Sequence, residues 1–457
     1  MNGVGSFFEG LRVKAPPSWG TEPVPRDKRI LRGSDMFVFW SSLGVGLLVL
    51  QAGTLLVPGL SLRGAAGAIV VGTLVGSLLL ALTGVIGSDT GAPTMVLLRP
   101  ILGWRGSFLP TVFNVIQLIG WTAFEFWVIA VTASRVSQSV FGAPHYTLWL
   151  VVGVLFCLLL ALGGPLVMVR DWLEKFGVWA MFIALIWISA RLIASGQLPA
   201  LWSQPGNGQM PFWLAVDLVV AMPISWIPLV ADYNRFAASR SGSFWGTIIG
   251  YIVTNIWLYG LGALFVLMLN LHEADPGALA AGVMGLTGGL VSLVIILVDE
   301  TDNVFASIYS SAISIQNSFP RLNQRWLIIA VTAVSAGLAA ILTMAEYQEF
   351  LLLIGSVFVP LFGVLAADYF LVRRRPYDEP DLYGVELGGA RDAGTTKSDF
   401  NLVGLACWIV GIVVYHLISR TLPSLGASIP SFVITFVGYT AAFYGANALR
   451  RRPAEGS

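Results

Sequence analysis

Stretches of about twenty apolar residues recur along this chain, and few folds can hold them. A bilayer's hydrocarbon core of ~30 Å takes about 20 residues of helix at 1.5 Å each. Twelve such stretches run at 37–60, 65–87, 108–134, 147–167, 176–195, 212–231, 244–270, 281–315, 326–344, 347–371, 401–420 and 429–449. Composition agrees. Apolar residues make up 56% of 457 and charged residues 11%, with mean hydropathy +0.78; a soluble domain usually carries ~25% charge. A soluble fold of this size needs more polar surface, and disorder is excluded by the apolar, nearly neutral chain. The expectation is an all-α integral membrane protein with twelve transmembrane helices. A net charge of +1 gives no support to nucleic-acid binding. Cys157 and Cys407 lie in apolar runs and read as packing residues.

Orientation follows from Lys and Arg. With the N-terminus inside, all but four of the 26 basic residues fall on the inner side, the exceptions being Arg63, Arg135, Arg191 and Arg420. Both termini are therefore expected in the cytoplasm of a plasma-membrane protein. Residues 1–36 are polar, carry Pro16, Pro17, Pro23 and Pro25, and read as a cytoplasmic tail, not a signal peptide. The long loop 372–400 separates ten spans from a final pair. The expected organisation is a first five-helix repeat at 37–195, an inverted second repeat at 212–371, the cytoplasmic loop, two accessory helices at 401–449 and a tail at 450–457. Spans 1 and 6 would correspond, and both carry breakers: Gly44, Gly46, Gly53 and Pro58 in one, Pro223 and Pro228 in the other. Interrupted helices at matching positions of two halves point to a transport site.

Span 3 places Asn114, Gln117, Trp121 and Glu125 at steps of 3, 4 and 4, on one helix face. A carboxylate at mid-span costs about 2.5–3.5 kcal/mol on insertion scales, so Glu125 is expected to face inward. An indole with a polar group one turn away can stack on and hydrogen-bond a planar ring. The plain alternative is a polar stripe joining helices, which weighs most for Asn114 and Gln117.

Span 8 is interrupted by Asp299, Glu300 and Asp302. Asp299 and Asn303 share a face, with Glu300 pointing elsewhere, and Ser307, Ser310, Ser311 and Ser314 follow. Oxygen-rich surroundings suit Na⁺, and crowded carboxyls equally suit H⁺. In span 6, Asp217 is expected to line an outer vestibule or to pair with Arg191. At its inner end Asp232 and Arg235 form an interfacial pair that positions the helix. His145, His272 and His416 have no metal-ligand spacing, and no nucleotide or nucleophile motif appears. No metal or organic cofactor and no ATPase subunit is implied.

The stretches NVIQLIGWTAFEFW and AMPISWIPLVADYNRFA, the run DETDN and the span 10 stretch YQEFLLLIGSVFVPLFGVLAADYF resemble the purine–cytosine permease family of bacterial nucleobase–cation symporters, with the nearest likeness to its cytosine and hydroxymethylpyrimidine branch. The resemblance covers spans 1 to 10. It implies two inverted five-helix repeats with spans 1 and 6 broken, and a substrate held between spans 1, 3, 6 and 8. It implies ring stacking on Trp121, contacts from Glu125, Pro223, Ser225 and Gln51, and a coupling cation near Gly46, Val49, Ile296, Asp299 and Glu300; Gln117 and Asn303 join the candidate substrate contacts from their place on the polar faces of spans 3 and 8. This chain carries Glu125 where the family often has Gln or an apolar residue, and Asp299 and Glu300 where it often has Thr or Ser. The extra carboxyls suit H⁺ in place of Na⁺, or a substrate bearing amino groups.

The resulting expectation is a non-enzymatic secondary importer of a planar heterocycle, coupled to Na⁺ or H⁺. A carrier of another small solute, such as an amino acid, is the alternative on the same fold. A channel and an intramembrane hydrolase fit less well, since neither a long pore lining nor a Ser–Lys pair is present.

Overall fold

Lipid offers the backbone no hydrogen-bond partner, so a spanning chain must satisfy itself by helix or closed barrel. The structure, a computed structural model, describes residues 21–163, 177–270, 275–319, 321–343, 345–374, 376–384 and 399–450. The tail before residue 21, the start of the fifth expected span, most of the 372–400 loop and the tail after residue 450 lie outside them. Apart from one isolated bridge between Leu31 and Ala237, the described residues carry no strand pairing.

The helices, in order, are α1 (Gly33–Leu43), α2 (Leu47–Thr54), α3 (Leu62–Thr90), α4 (Thr94–Leu97), α5 (Arg99–Leu102), α6 (Phe108–Phe141), α7 (Tyr146–Leu162), α8 (Val178–Ala194), α9 (Leu198–Ser203), α10 (Phe212–Asn234), α11 (Arg240–Leu269), α12 (Pro276–Met284), α13 (Gly289–Ser318), α14 (Gln324–Ala339), α15 (Ala345–Ala366), α16 (Glu379–Tyr383), α17 (Leu402–Thr421) and α18 (Ser428–Arg450). Among the described residues, six (α3, α6, α10, α11, α15 with its π-helical end, and α17) are long and apolar enough to cross a membrane by length and composition. The bent pair α1–α2 makes a seventh, with 58° between its halves.

Two helix groups are evident. In the first, α10 makes its largest interface with α3, and α11 packs on α3, α1 and α2. Small residues make this possible. A Cβ on Gly76 of α3 would overlap the Pro223 ring, and one on Gly87 would lie 2.6 Å from the Ala231 Cβ. Such small-residue stripes let membrane helices approach without a hydrophobic driving force. Buried polar links add to the packing: Asn234 accepts from Trp40 Nε1 at 2.8 Å and donates to Ser243 and Thr247, each at 2.8 Å. In the second group α6 packs on α13, α14 and α7, and Asn114 of α6 donates to Ser314 of α13 at 2.8 Å. Contacts from α1 and α2 to α6 and α13 are few.

The sequence places a break at Pro223, and here the structure differs. α10 is one continuous helix from Phe212 to Asn234 with both prolines inside it. Each proline removes a backbone donor, leaving Val219 O and Ile224 O without their usual amide partners; side-chain donors reach other carbonyls of the same helix. Gln117 Nε2 donates to Ser225 O at 2.9 Å, Ser225 Oγ to Met222 O at 2.6 Å, and Tyr259 Oη to Leu218 O at 3.0 Å.

Asp217 does not meet Arg191, which donates to Thr287 at 3.1 Å. Its carboxylate instead accepts from Ala427 N at 2.6 Å and Ser428 N at 2.9 Å, capping α18 from another helix. At the other end of α10, Asp232 accepts from Thr94 N at 3.0 Å while Thr94 Oγ1 accepts from Ala231 N at 2.9 Å, and Arg235 Nε reaches the Asp232 carbonyl at 3.1 Å. These bonds tie α4 to the end of α10. Arg29 closes the same side by donating to the Ser88, Asp89 and Thr90 carbonyls that end α3. Arg99, on α5, donates to Asn317 at 2.9 Å and lies 3.8 Å over the Trp104 ring.

Gly76→Leu should force α3 from α10 and lower stability by about 1–3 kcal/mol. The measurement is thermal unfolding of detergent-purified protein; an unchanged melting temperature would contradict the close packing.

Candidate functional site

The sequence around residue 45 cannot continue a helix. Gly44 ends α1, and Gly46 has an extended backbone (φ 179°, ψ 154°) with no side chain to cap α2. The groups freed there are taken by α13. Glu300 Oε2 accepts from Leu47 N at 2.7 Å, and Asn303 Nδ2 donates to Val45 O at 2.9 Å. A carboxylate at a helix N-terminus also meets the positive end of the helix dipole. A Cβ on Gly46 would stand 3.0 Å from Asn303 Nδ2 and 3.2 Å from Glu300 Oε2, so the close approach favours glycine.

Beside this junction a narrow cavity of about 30 Å³ lies between the two helix groups. That is room for about one or two waters, well below the roughly 300–1,000 Å³ of an open ligand pocket. Leu43, Gly46, Leu48 and Val49 line it from the broken span; Leu118, Trp121 and Glu125 from α6; Met222, Ser225, Trp226 and Leu229 from α10; and Glu300, Asn303 and Ser307 from α13. Tyr347 and Phe350 of α15 set the Trp121 ring edge-on, with centroids 6.2 and 5.2 Å away. Tyr347 Oη donates to Leu48 O at 2.8 Å.

The cavity thus brings together Gly46, Val49, Trp121, Glu125, Ser225, Glu300 and Asn303 from the sequence-derived residues. It does not include the others. Gln117 sits one turn below Trp121 and donates to Asn114 and Ser225 O, each at 2.9 Å, so the lower half of the α6 stripe joins helices. Pro223 lies against Gly76 of α3. Gln51 and Ile296 line a smaller neighbouring void with Leu47, Val128 and Thr132. Asp299 is buried outside both voids.

One orientation is corrected. Glu300 does not point away from Asn303; both face the α1–α2 junction and the cavity. At ~100° per residue, the 300/303/307 row forms one face, and packing turned that face inward. Of the serines that follow, Ser307 lines the cavity, Ser314 accepts from Asn114, and Ser311 donates to Ser307 O. Trp226, overlooked in the motif AMPISWIPLV, supplies a second indole; its signal was its place directly after Ser225.

A central cavity between two helix groups, at the break of a membrane helix, defines the molecule as a transporter-type membrane protein. The sequence profile of the permeases for cytosine/purines, uracil, thiamine and allantoin matches residues 23–440, and the chain belongs to that family. It is 26% identical over 382 residues to a putative purine–cytosine permease of Bacillus subtilis, covering 80% of this chain and 81% of that one. It is 24% identical over 383 residues to a hydantoin permease of Microbacterium maritypicum, covering 77% and 74%. Among solved structures it resembles Mhp1, a nucleobase-cation-symport-1 family transporter, in a closed conformation with bromovinylhydantoin bound. That match has TM-score 0.79 and 20% identity, and covers 95% of this chain and 97% of that one.

Glu300→Ala should cost about 0.5–2 kcal/mol of stability through the lost cap, whereas Glu300→Gln, which keeps an acceptor for Leu47 N, should cost less. Equal losses in thermal unfolding would remove Glu300 from the capping role.

Proposed function

We propose that this permease is a secondary active importer of a planar nucleobase-like heterocycle, of the cytosine, purine or hydroxymethylpyrimidine class, coupled to Na⁺ or H⁺. The observation that carries the reading is the narrow cavity flanked by two indoles, Trp121 and Trp226, with Glu125 one helical turn from the first. Flat apolar walls and a few polar atoms suit a small aromatic ring better than an amino acid, whose carboxylate would meet Glu125. The names of the relatives, which include cytosine, hydantoin and allantoin permeases, support the same class.

In this proposal twelve spans cross the plasma membrane with both termini inside. Residues 37–195 and 212–371 form two inverted repeats, and the pair at 401–449 is accessory. The first helix group (α1–α3, α10, α11) moves against the second (α6, α7, α13, α14), and the few contacts between them support that division. Ring contacts come from Trp121, Glu125, Ser225 and Asn303, with Gln117, Gln51 and Pro223 supporting the walls. The coupling ion acts at the α1–α2 junction near Gly46, Val49 and Glu300, with Ile296 and Asp299 behind them. Ion and substrate each favour the closed state, so each tightens the other. No bond in the substrate is broken.

Proteoliposomes loaded with the full chain should concentrate radiolabelled cytosine or hypoxanthine when a Na⁺ or a proton gradient is imposed. Failure of both gradients for every nucleobase tried would end the symport reading. Trp121→Ala should weaken apparent affinity about ten-fold or more while Trp121→Phe keeps part of it; identical uptake by both would place stacking elsewhere.

A further inference from the structure

The cavity's unpaired polar atoms are unequal in kind. Glu125 Oε2, Glu300 Oε1 and Asn303 Oδ1 are buried without a hydrogen-bond partner among the described residues, and all three are acceptors. Among the buried unpaired atoms of the described lining residues, Trp121 Nε1 is the one donor. The four residues are 4%, 1%, 6% and 7% exposed. No Lys or Arg is among the described lining residues. Buried polar groups in native structures find partners, and a site built to bond a polar group discriminates strongly against an analogue that lacks it.

Resting on the nucleobase-carrier reading, we propose that this cavity selects heterocycles whose edge presents an exocyclic NH₂ directly beside a ring N–H over rings that carry carbonyls and ring N–H groups but no amino group. An amino group and a neighbouring ring N–H can both donate to the Glu125 carboxylate, because a carboxylate accepts two parallel hydrogen bonds. A further N–H meets Glu300 Oε1 or Asn303 Oδ1. Trp121 Nε1 donates to a ring carbonyl or unprotonated ring nitrogen. Uracil and hydantoin have a carbonyl between their two ring N–H groups, so neither offers a carboxylate two adjacent donors, and a carbonyl oxygen faces the second acceptor. Protonating one carboxyl adds a single donor and leaves the other carboxylate, Asn303 and the first group's carbonyl oxygen as acceptors, so the imbalance persists. Glu300 and Asn303 are fixed for this task, since their other polar atoms are engaged by Leu47 N and Val45 O.

The test is equilibrium binding to the purified full-length protein in nanodiscs, with guanine and isocytosine as amino-bearing probes and uracil and hydantoin as keto-only probes. The amino-bearing rings should bind at least ten-fold tighter. Glu125→Gln, which exchanges an acceptor for an amide that also donates, should shrink that ratio several-fold; Glu300→Gln gives a second measurement should the first variant fail to fold. Keto-only rings that bind equally or more tightly would overturn this selectivity and leave the carrier reading standing. If none of the four probes binds the protein or is taken up by proteoliposomes, the carrier reading itself fails with it.

Discussion

The architecture depends on how the broken backbone at residues 44–46 is satisfied inside an apolar environment. An unpaired peptide group there costs several kcal/mol. Two side chains of α13, Glu300 and Asn303, supply the missing acceptor and donor. That arrangement explains why a helix otherwise apolar for ten residues carries acids at its centre. It also fixes where the cavity lies, because the residues that complete the break also line the void beside it. Structural and candidate binding roles are therefore carried by opposite ends of the same functional groups: one oxygen of Glu300 holds the amide, and the other is left for something else.

The two helix groups are built differently. Within the first, glycines of α3 and α11 bring backbones into near contact, and Asn234 ties α1, α10 and α11 together. Between the groups contacts are sparse, and several pass through α13 and Gln117. A population of states that differ in the relative placement of the groups needs such a seam, since tightly interlocked interfaces resist sliding.

Much of this was legible in the sequence, for identifiable reasons. Among the described residues, six of the expected spans fall on helices long and apolar enough to cross a membrane and the first falls on a bent helix pair, because twenty apolar residues leave the backbone few alternatives. The break near Gly44 and Gly46 was readable because two glycines interrupt a run with nothing else to explain them. Trp121 and Glu125 were readable because helical spacing puts them on one face. The continuous course of α10 was not: a proline inside a helix usually kinks or breaks it, yet α10 runs through both, and the donors that reach its carbonyls from α6 and α11 stand 108 and 41 positions away. The facing of Glu300 was not either, since one residue's step turns a side chain by ~100° and only packing chooses the rotation. Gln117 shows the limit of a stripe. Its spacing matched Trp121, yet its amide bonds to Asn114 and Ser225.

The Asp217 cap reaches from α10 to the start of the final helix. Through Ala427 N and Ser428 N, the last helix is anchored by its first turn to the very helix that walls the cavity. The terminal pair is therefore not an appendage that evolution could trim without penalty. Its removal would strand a shielded carboxylate with nothing to hold, and the loss would be felt at the Phe212 end of α10.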